Sequence, residues 1–460
     1  MLVAASGAVL LAAGAALAGP LQSSLKVAAN QIAANQADRA TAKRLRALNA
    51  DRRVKAALAQ IKAQAPRTLE EQIEISQIAS PSFKEAVRAA DYLRRLRELG
   101  LSDAAIDAEG NVVARRKGTG RGPTLVLAAH LDTVFPEGTD VTVTEKDGKY
   151  YGRGLQDDAR GLTVLLTVLR AMQDNRLETV GDVLFVGTVG EEGLGNLRGV
   201  KALFRDHAAF TDHRRIAGFI SVDSVDDPDS ADGPNAIISQ ATGSRRWSFT
   251  FQGPGGHSFE NFGLPSATHA MGRAIAAIAE LRPPAQPKTT FTVGVVSGGS
   301  AINAIAAEAQ MQIDIRSNDA AALTALEQKI FAATDAAVVA ENRRWNSDKM
   351  QVVKKLLGDR PAGVAHDDTA VVAAAQWAAA ALKLPPPPLV AASTDSNVPL
   401  SLGIPAATVS GGGQGGKAHS PDEWYRPVDA WLGPQSVLLT TLALVGLEGV
   451  SAPTLRSVAN

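Results

Sequence analysis

Short apolar runs alternate with amphipathic helical patterns through the first half of this 460-residue chain. TLVLAAH (124–130) precedes ARGLTVLLTVLRAMQD (159–174), and DVLFVGTV (182–189) and IAGFISVD (216–223) follow. Runs this short, with no polar alternation, read as strands covered on both faces. Strands alternating with helices require an α/β domain built on a largely parallel sheet. Near residue 242 the rhythm changes. RRWSFTFQ, PSATHAMGRAIAAIAEL, TTFTVGVV, AEAQMQIDIRS, DAAALTALEQKIFAATDAAVVAENRR and DKMQVVKKLL read as strand, helix, strand, strand, helix, strand. That β-α-β-β-α-β order is the ferredoxin-like split motif. After about Gly358 the earlier rhythm resumes with DTAVVAAAQWAAAALKL and PAATVSGGG. The spacing therefore predicts a discontinuous main domain, residues 66–241 and 359–450, around an insertion at 242–358.

The length suits two domains rather than one core. Lys plus Arg and Asp plus Glu balance at 47 each, so no basic excess points to nucleic acid. There is no cysteine, which excludes disulfides and thiolate ligands and leaves any metal to histidines and carboxylates. Residues 1–22 form an Ala-rich apolar run with a small-residue site at Ala16-Leu17-Ala18. It is similar to a secretory signal peptide, although its first residues carry no Lys or Arg; the other readings are an N-terminal anchor or a mis-called start codon. Export to the periplasm or medium is expected if it is a signal, and a cytoplasmic protein if it is not. Residues 23–65 read as helix, as does FKEAVRAADYLRRLRELG, with Gly100 at its C-terminal end.

Several predicted strands end in polar groups that a buried strand would avoid. The first ends in His130, the second runs into Glu191-Glu192, the third ends in Asp223, and AATVSGGGQGGKAHS leads through glycines to His419. Asp157-Asp158, in GRGLQDDARG, opens the intervening helix. Ligands of open α/β sheets bind outside the carboxyl ends of the strands. Imidazoles and carboxylates gathered at that rim suit Zn²⁺. Taken singly, each motif has an ordinary explanation: a satisfied strand-end histidine, a helix cap, a solvated turn, a flexible loop. Their joint occurrence at element ends is not explained that way.

HLDTV, GRGLQDD, GTVGEEG, SVD, GPGGHS and AHSPDEW together resemble the signature set of the di-zinc metallopeptidases. That family includes glutamate carboxypeptidase, peptidase T, carnosinase-type dipeptidases, aminoacylase and succinyl-diaminopimelate desuccinylase, and the resemblance spans roughly residues 70–445. It implies that His130, Asp157, Glu192, Asp223 and His419 hold two Zn²⁺ ions, with Mn²⁺ or Co²⁺ as alternatives. Asp157 would bridge the metals, commonly through a cis peptide to Asp158. Asp132 would sit behind His130, fixing its tautomer. Glu191 would be the general base on the metal-bound water.

The resemblance also makes the insertion a lid and dimerisation domain. In it His257 would reach a partner subunit's site, Asn303 would contact substrate, and Arg316 would clamp a substrate carboxylate. Gly412 and Gly413 are expected to hold substrate backbone. His207, His213, His269 and His366 read as structural or surface residues. The implied activity is exopeptidase cleavage of short peptides by a homodimer, with no nucleic acid partner and no stable membrane span once a signal is removed. Two alternatives remain: deacylation of N-acyl amino acids, and a non-catalytic dimeric binding relative. Within the family, aspartate at the position of Asp223 resembles the di- and tripeptidase branch.

Overall fold

The computed structural model describes residues 41–120, 122–205, 216–223, 225–363 and 369–457. The signal-like run and His207, His213 and His366 lie outside the described residues. Residues 41–50 are helical, and helices α1 (Arg52–Ala63), α2 (Ala65–Ser76) and α3 (Ala86–Glu98) follow. The chain continues through β1 (Ala105–Ile106), β2 (Val112–Arg116), β3 (Thr124–His130), α4 (Ala159–Asp174), β4 (Asp182–Thr188), β5 (Ile216–Val222) and β6 (Ile237–Ala241). Next come β7 (Gly243–Gln252), α5 (Ala267–Ala279), β8 (Thr289–Gly298), β9 (Glu308–Ser317), α6 (Ala320–Arg344) and β10 (Gln351–Arg360). The last major elements are α7 (Ala370–Ala381), β11 (Leu389–Ala392), β12 (Ala406–Val409) and α8 (Leu432–Val445).

The large sheet has the order β1-β2-β4-β3-β5-β12-β6-β11. Its centre is parallel, with β3 between β4 and β5 and β12 beside β5. The β1–β2, β2–β4 and β12–β6 pairs are antiparallel. The burial of β3 explains its unbroken apolar run. Leu125, Leu127 and Ala129 join one core with Leu162, Leu165, Leu169 and Phe185, beneath α4 and α8. Val126 and Ala128 face the opposite core, with Leu184, Val186, Val200 and Leu203. Alternate residues thus serve two faces. Each fully buried Leu or Val contributes about 1.5–3 kcal/mol over its exposed state, so a polar residue is tolerated only at the strand's end.

The start of α4 is fixed by Asp158, whose carboxylate caps the helix by accepting from the Gly161 amide at 2.9 Å. Gly161 is required there. A Cβ would stand 2.1 Å from the Val222 carbonyl oxygen, so glycine lets α4 approach the end of β5. Between β6 and α7 the chain builds a second sheet, β8-β9-β7-β10, antiparallel throughout. Helices α5 and α6 supply Ala270, Ala274, Ile278, Leu326 and Ile330 to its core, against Phe249, Phe251, Met311, Ile313 and Ile315.

Candidate metal centre

His130 ends β3 and pairs in register with Thr188, the last residue of β4. Glu191 and Glu192 stand just beyond β4, Asp223 directly follows β5, and Asp157 precedes the cap of α4. The Asp157–Asp158 peptide bond is cis. The strand ends therefore deliver these side chains to one rim of the large sheet.

Asp157 lies between the two imidazoles. Its Oδ1 is 2.8 Å from His130 Nε2 and its Oδ2 is 2.9 Å from His419 Nε2. Glu192 Oε1 lies 2.7 Å from the same His419 nitrogen. One donor atom from each of His130, Asp157 and Asp223 falls within a 4.8 Å group, and so does one from each of Asp157, Glu192 and His419. A third such group is His130, Glu191 and Glu192.

The surroundings fix these groups in place. His130 Nδ1 is 3.0 Å from the Asp132 carbonyl oxygen and 3.6 Å from its carboxylate. The nearer partner of the ring is thus the main chain. The Asp132 carboxylate serves mainly the glutamates: it accepts from the Glu191 and Glu192 amides at 2.9 and 3.0 Å and from Ser82 Oγ at 2.6 Å. The His130 amide donates to the Asp158 carboxylate at 3.0 Å.

Three further residues hold the rim, and sequence reading did not single them out. Glu423, buried, accepts from the Gly154 and Gln156 amides at 3.0 Å each and so shapes the loop leading to Asp157. Arg88, fully buried, donates to the Leu131 carbonyl at 3.0 Å. Arg160 donates to the carbonyls of Gly411 and Ala430 at 2.9 and 2.5 Å, anchoring the glycine-rich loop. Gly412 and Gly413, expected to hold substrate, also have a packing reason. A Cβ on Gly412 would stand 2.6 Å from the Gly433 amide, and one on Gly413 would stand 2.4 Å from the Tyr425 hydroxyl; both residues have positive φ.

Burying so many acids together perturbs them. Burial, with Asp157 beside it, pushes the Asp223 carboxyl up to about 7. Burial raises Glu191 well above the usual carboxylate range, against the opposing charge of Arg360. Burial works upward on Asp157 too, but hydrogen bonds with His130 and His419 outweigh it and hold that carboxyl well below its usual range. The hydrogen bonds with Asp157 and Glu192 lift His419 to about 11. Four carboxylates and two imidazoles in one place form a site that favours cations. This donor set fits two divalent ions, with carboxylates for charge and histidines for a borderline metal.

The cleft over the rim has a volume of about 460 Å³, and its lining includes His130, Asp157, Glu191, Glu192, Asp223 and His419. Three arginines, Arg246, Arg316 and Arg360, share that lining. Arg316 Nε is tied to Asp314 at 2.7 Å, and Arg246 Nε reaches the other oxygen of Asp314 at 3.2 Å. His257 and Asn303 are not brought to this cleft. Both are exposed, on a short ladder that pairs His257 with Ala304, where the Ser258 amide donates to the Asn303 carbonyl at 2.9 Å. His269 is also exposed, 3.7 Å from Glu341.

A tripeptidase structure from Staphylococcus aureus has the same fold. It superimposes with a TM-score of 0.67 at 24% identity, covering 82% of this chain and 97% of that one. An uncharacterised protein, YqjE, from Bacillus subtilis is 32% identical over 150 residues, 30% of this chain and 39% of that protein's length. Succinyl-diaminopimelate desuccinylase from Methylobacillus flagellatus is 27% identical over 262 residues, 53% of this chain and 66% of the enzyme. The chain thus spans less than half the length of the first of these sequence relatives and about two thirds of the second. Residues 126–444, well over half the chain and including every residue from His130 to His419, match peptidase family M20/M25/M40, and the chain belongs to that family.

Proposed function

We propose that this chain is a dinuclear metal-dependent exopeptidase that hydrolyses short peptides. The observation that carries the reading is Asp157 between His130 and His419, one carboxylate oxygen toward each imidazole. His130, Asp157 and Asp223 would hold one ion, and Asp157, Glu192 and His419 the other. Zinc is the expected metal, with manganese or cobalt as substitutes. Two bound divalent ions would polarise the scissile carbonyl and make water acidic enough to be deprotonated near neutrality.

The protein's own part is proton handling and orientation. Glu191 is 4% exposed and, of the two adjacent glutamates, is the one paired to an arginine. Its raised proton affinity suits a group that takes a proton from water and passes it to the leaving amine. Asp132 sets the backbone of both glutamates and the tautomer of His130, through the main-chain carbonyl as well as the carboxylate. Arg316 would clamp the substrate carboxylate.

The second sheet with α5 and α6 would serve as a lid and as the dimer contact. His257 and Asn303, exposed on one chain, would then reach the partner subunit's cleft. Export by the N-terminal run completes the proposal; among the described residues no helix is long and apolar enough to cross a membrane. A peptidase is favoured over a deacylase by aspartate at position 223. It is favoured over a non-catalytic relative by competent residues at all five ligand positions and at Glu191. The test is a panel of dipeptides, tripeptides and N-acyl amino acids assayed with defined Zn²⁺, Mn²⁺ and Co²⁺. Turnover of the peptides supports the reading, turnover of N-acyl substrates alone replaces it with the deacylase, and no turnover with any metal removes it.

A further inference from the structure

The second sheet is fastened to the loop that carries the proposed base. Strand β10 ends in Arg360, 5% exposed. Its Nη1 donates to Glu191 Oε1 at 3.1 Å and to Ser393 Oγ at 3.2 Å, and its Nη2 donates to the Glu191 carbonyl. One guanidinium thus grips both the side chain and the main chain of a single residue. Next to it in sequence, the Asp359 amide donates to Asn196 Oδ1 at 2.9 Å. Lys201 Nζ donates to the carbonyls of both Asn196 and Asp359, at 2.7 and 2.6 Å. From neighbouring β7, Arg246 donates to the Gly193 carbonyl at 2.5 Å. The segment 191–196 is therefore held to both strands that connect the second sheet to the first.

Glu191 stands within reach of the ligand group it is assigned to stay out of. An oxygen of Glu191 lies within the same 4.8 Å group as donor atoms of His130 and Glu192. Two adjacent glutamates at a cation site would both be drawn onto the ions. Glu192 faces His419 at 2.7 Å, whereas Glu191 faces Arg360. Asp132 does not separate them, since it accepts from both amides alike.

We propose that Arg360 is a positioning residue that holds the Glu191 carboxylate out of the metal ligand set, leaving it free to act on water. This rests on the reading of Glu191 as general base. Arg360 lines the cleft, but its hydrogen bonds go to Glu191 and Ser393, so its assigned part is to act through Glu191. A lysine there keeps the charge but cannot hold side chain and carbonyl with one planar fork. Because Arg360 ends β10, any shift of the second sheet against the first is delivered to Glu191.

The test compares Arg360→Lys, Arg360→Met and Glu191→Gln in the metal-loaded full chain. A misplacement of about 1 Å is worth about 100-fold in rate, so Arg360→Met should lose about that factor in kcat with KM little changed. Arg360→Lys, which is expected to fold even if Arg360→Met does not, should fall between it and wild type. The visible spectrum of the Co²⁺ form should change in Arg360→Met as Glu191 joins the metal, and should revert in the double variant with Glu191→Gln. Wild-type kcat in both Arg360 variants would overturn the inference. A rise in KM alone would make Arg360 a substrate contact, and loss of metal would make it a structural residue; each would overturn it. Full activity in Glu191→Gln would instead remove the base itself, independently of Arg360.

Discussion

Replacing Glu191 by Gln removes one negative charge and little else. The side chain is 4% exposed, and an amide oxygen can still accept from Arg360 Nη1, which stands 3.1 Å from the native carboxylate. The backbone stays held by Asp132, which takes the Glu191 amide at 2.9 Å. The structural cost is therefore small, and the loss should be almost wholly chemical. General-base catalysis contributes about 10²- to 10⁴-fold, or about 2.7–5.4 kcal/mol of barrier at 1.36 kcal/mol per decade. kcat for a di- or tripeptide should fall by that factor while metal content stays near wild type. Glu192→Gln provides the contrast. It neutralises the acid 2.7 Å from His419 Nε2, so metal affinity should fall with activity and excess zinc should restore part of it. The assay is steady-state hydrolysis beside elemental analysis of the same protein. Wild-type turnover by Glu191→Gln would refute the reasoning, and metal loss in Glu191→Gln with retention in Glu192→Gln would mean the two roles are exchanged.

Three other outcomes follow from the same geometry. Asp132→Asn should fold but bind metal about 10- to 100-fold more weakly in a chelator competition, because the carboxylate that takes both glutamate amides and stands 3.6 Å from His130 Nδ1 is neutralised, although the main-chain contact to His130 stays. Ligand imidazoles must be neutral, and in the metal-free protein Asp157 and Glu192 lift His419 to about 11 while Asp223 sits at about 7. Against burial, the hydrogen bonds with Asp132 and Asp157 raise His130 well above its usual range as well, so metal loading at neutral pH should release protons, roughly two or three per chain, and affinity should weaken as pH falls; titration in weak buffer reads both. If His257 acts across a dimer, mixing His257→Ala with Glu191→Ala should recover part of the activity through hybrid dimers, and no recovery after confirmed subunit exchange would remove that role.

His130, Asp223 and the glutamates of the candidate metal centre were legible because each stands at or just past the end of a run whose period is plain, whereas Asp157 and His419 were legible through the motif resemblance. His130 stops six apolar or small residues, the glutamates stand just beyond the strand ending at Thr188, and Asp223 follows a fully buried strand. The parallel centre of the large sheet was legible for the same reason, since strands with both faces covered need unbroken apolar runs. The residues that hold the site in shape carried no such signal. Arg360 lies 169 positions from Glu191, and Glu423 lies 267 from Gln156. In sequence each is one charge among many, and only tertiary contact gives it meaning. Asp132 was noticed beside His130, yet its two amide contacts to Glu191 and Glu192, 59 and 60 positions on, were not. Gly412 and Gly413 were noticed for substrate, while their packing constraint was not. Their lack of a side chain answers to Gly433 and Tyr425, which a linear reading cannot place beside them.

The central claim is that Asp157 joins two ions at this rim, so the most direct measurement is the metal stoichiometry of the purified chain and of its His130→Ala and His419→Ala variants. The account predicts two divalent ions per wild-type chain and a loss in each variant, since His130 and His419 stand on opposite oxygens of Asp157. Two ions retained in both variants, or none bound by the wild type in excess zinc, would contradict it.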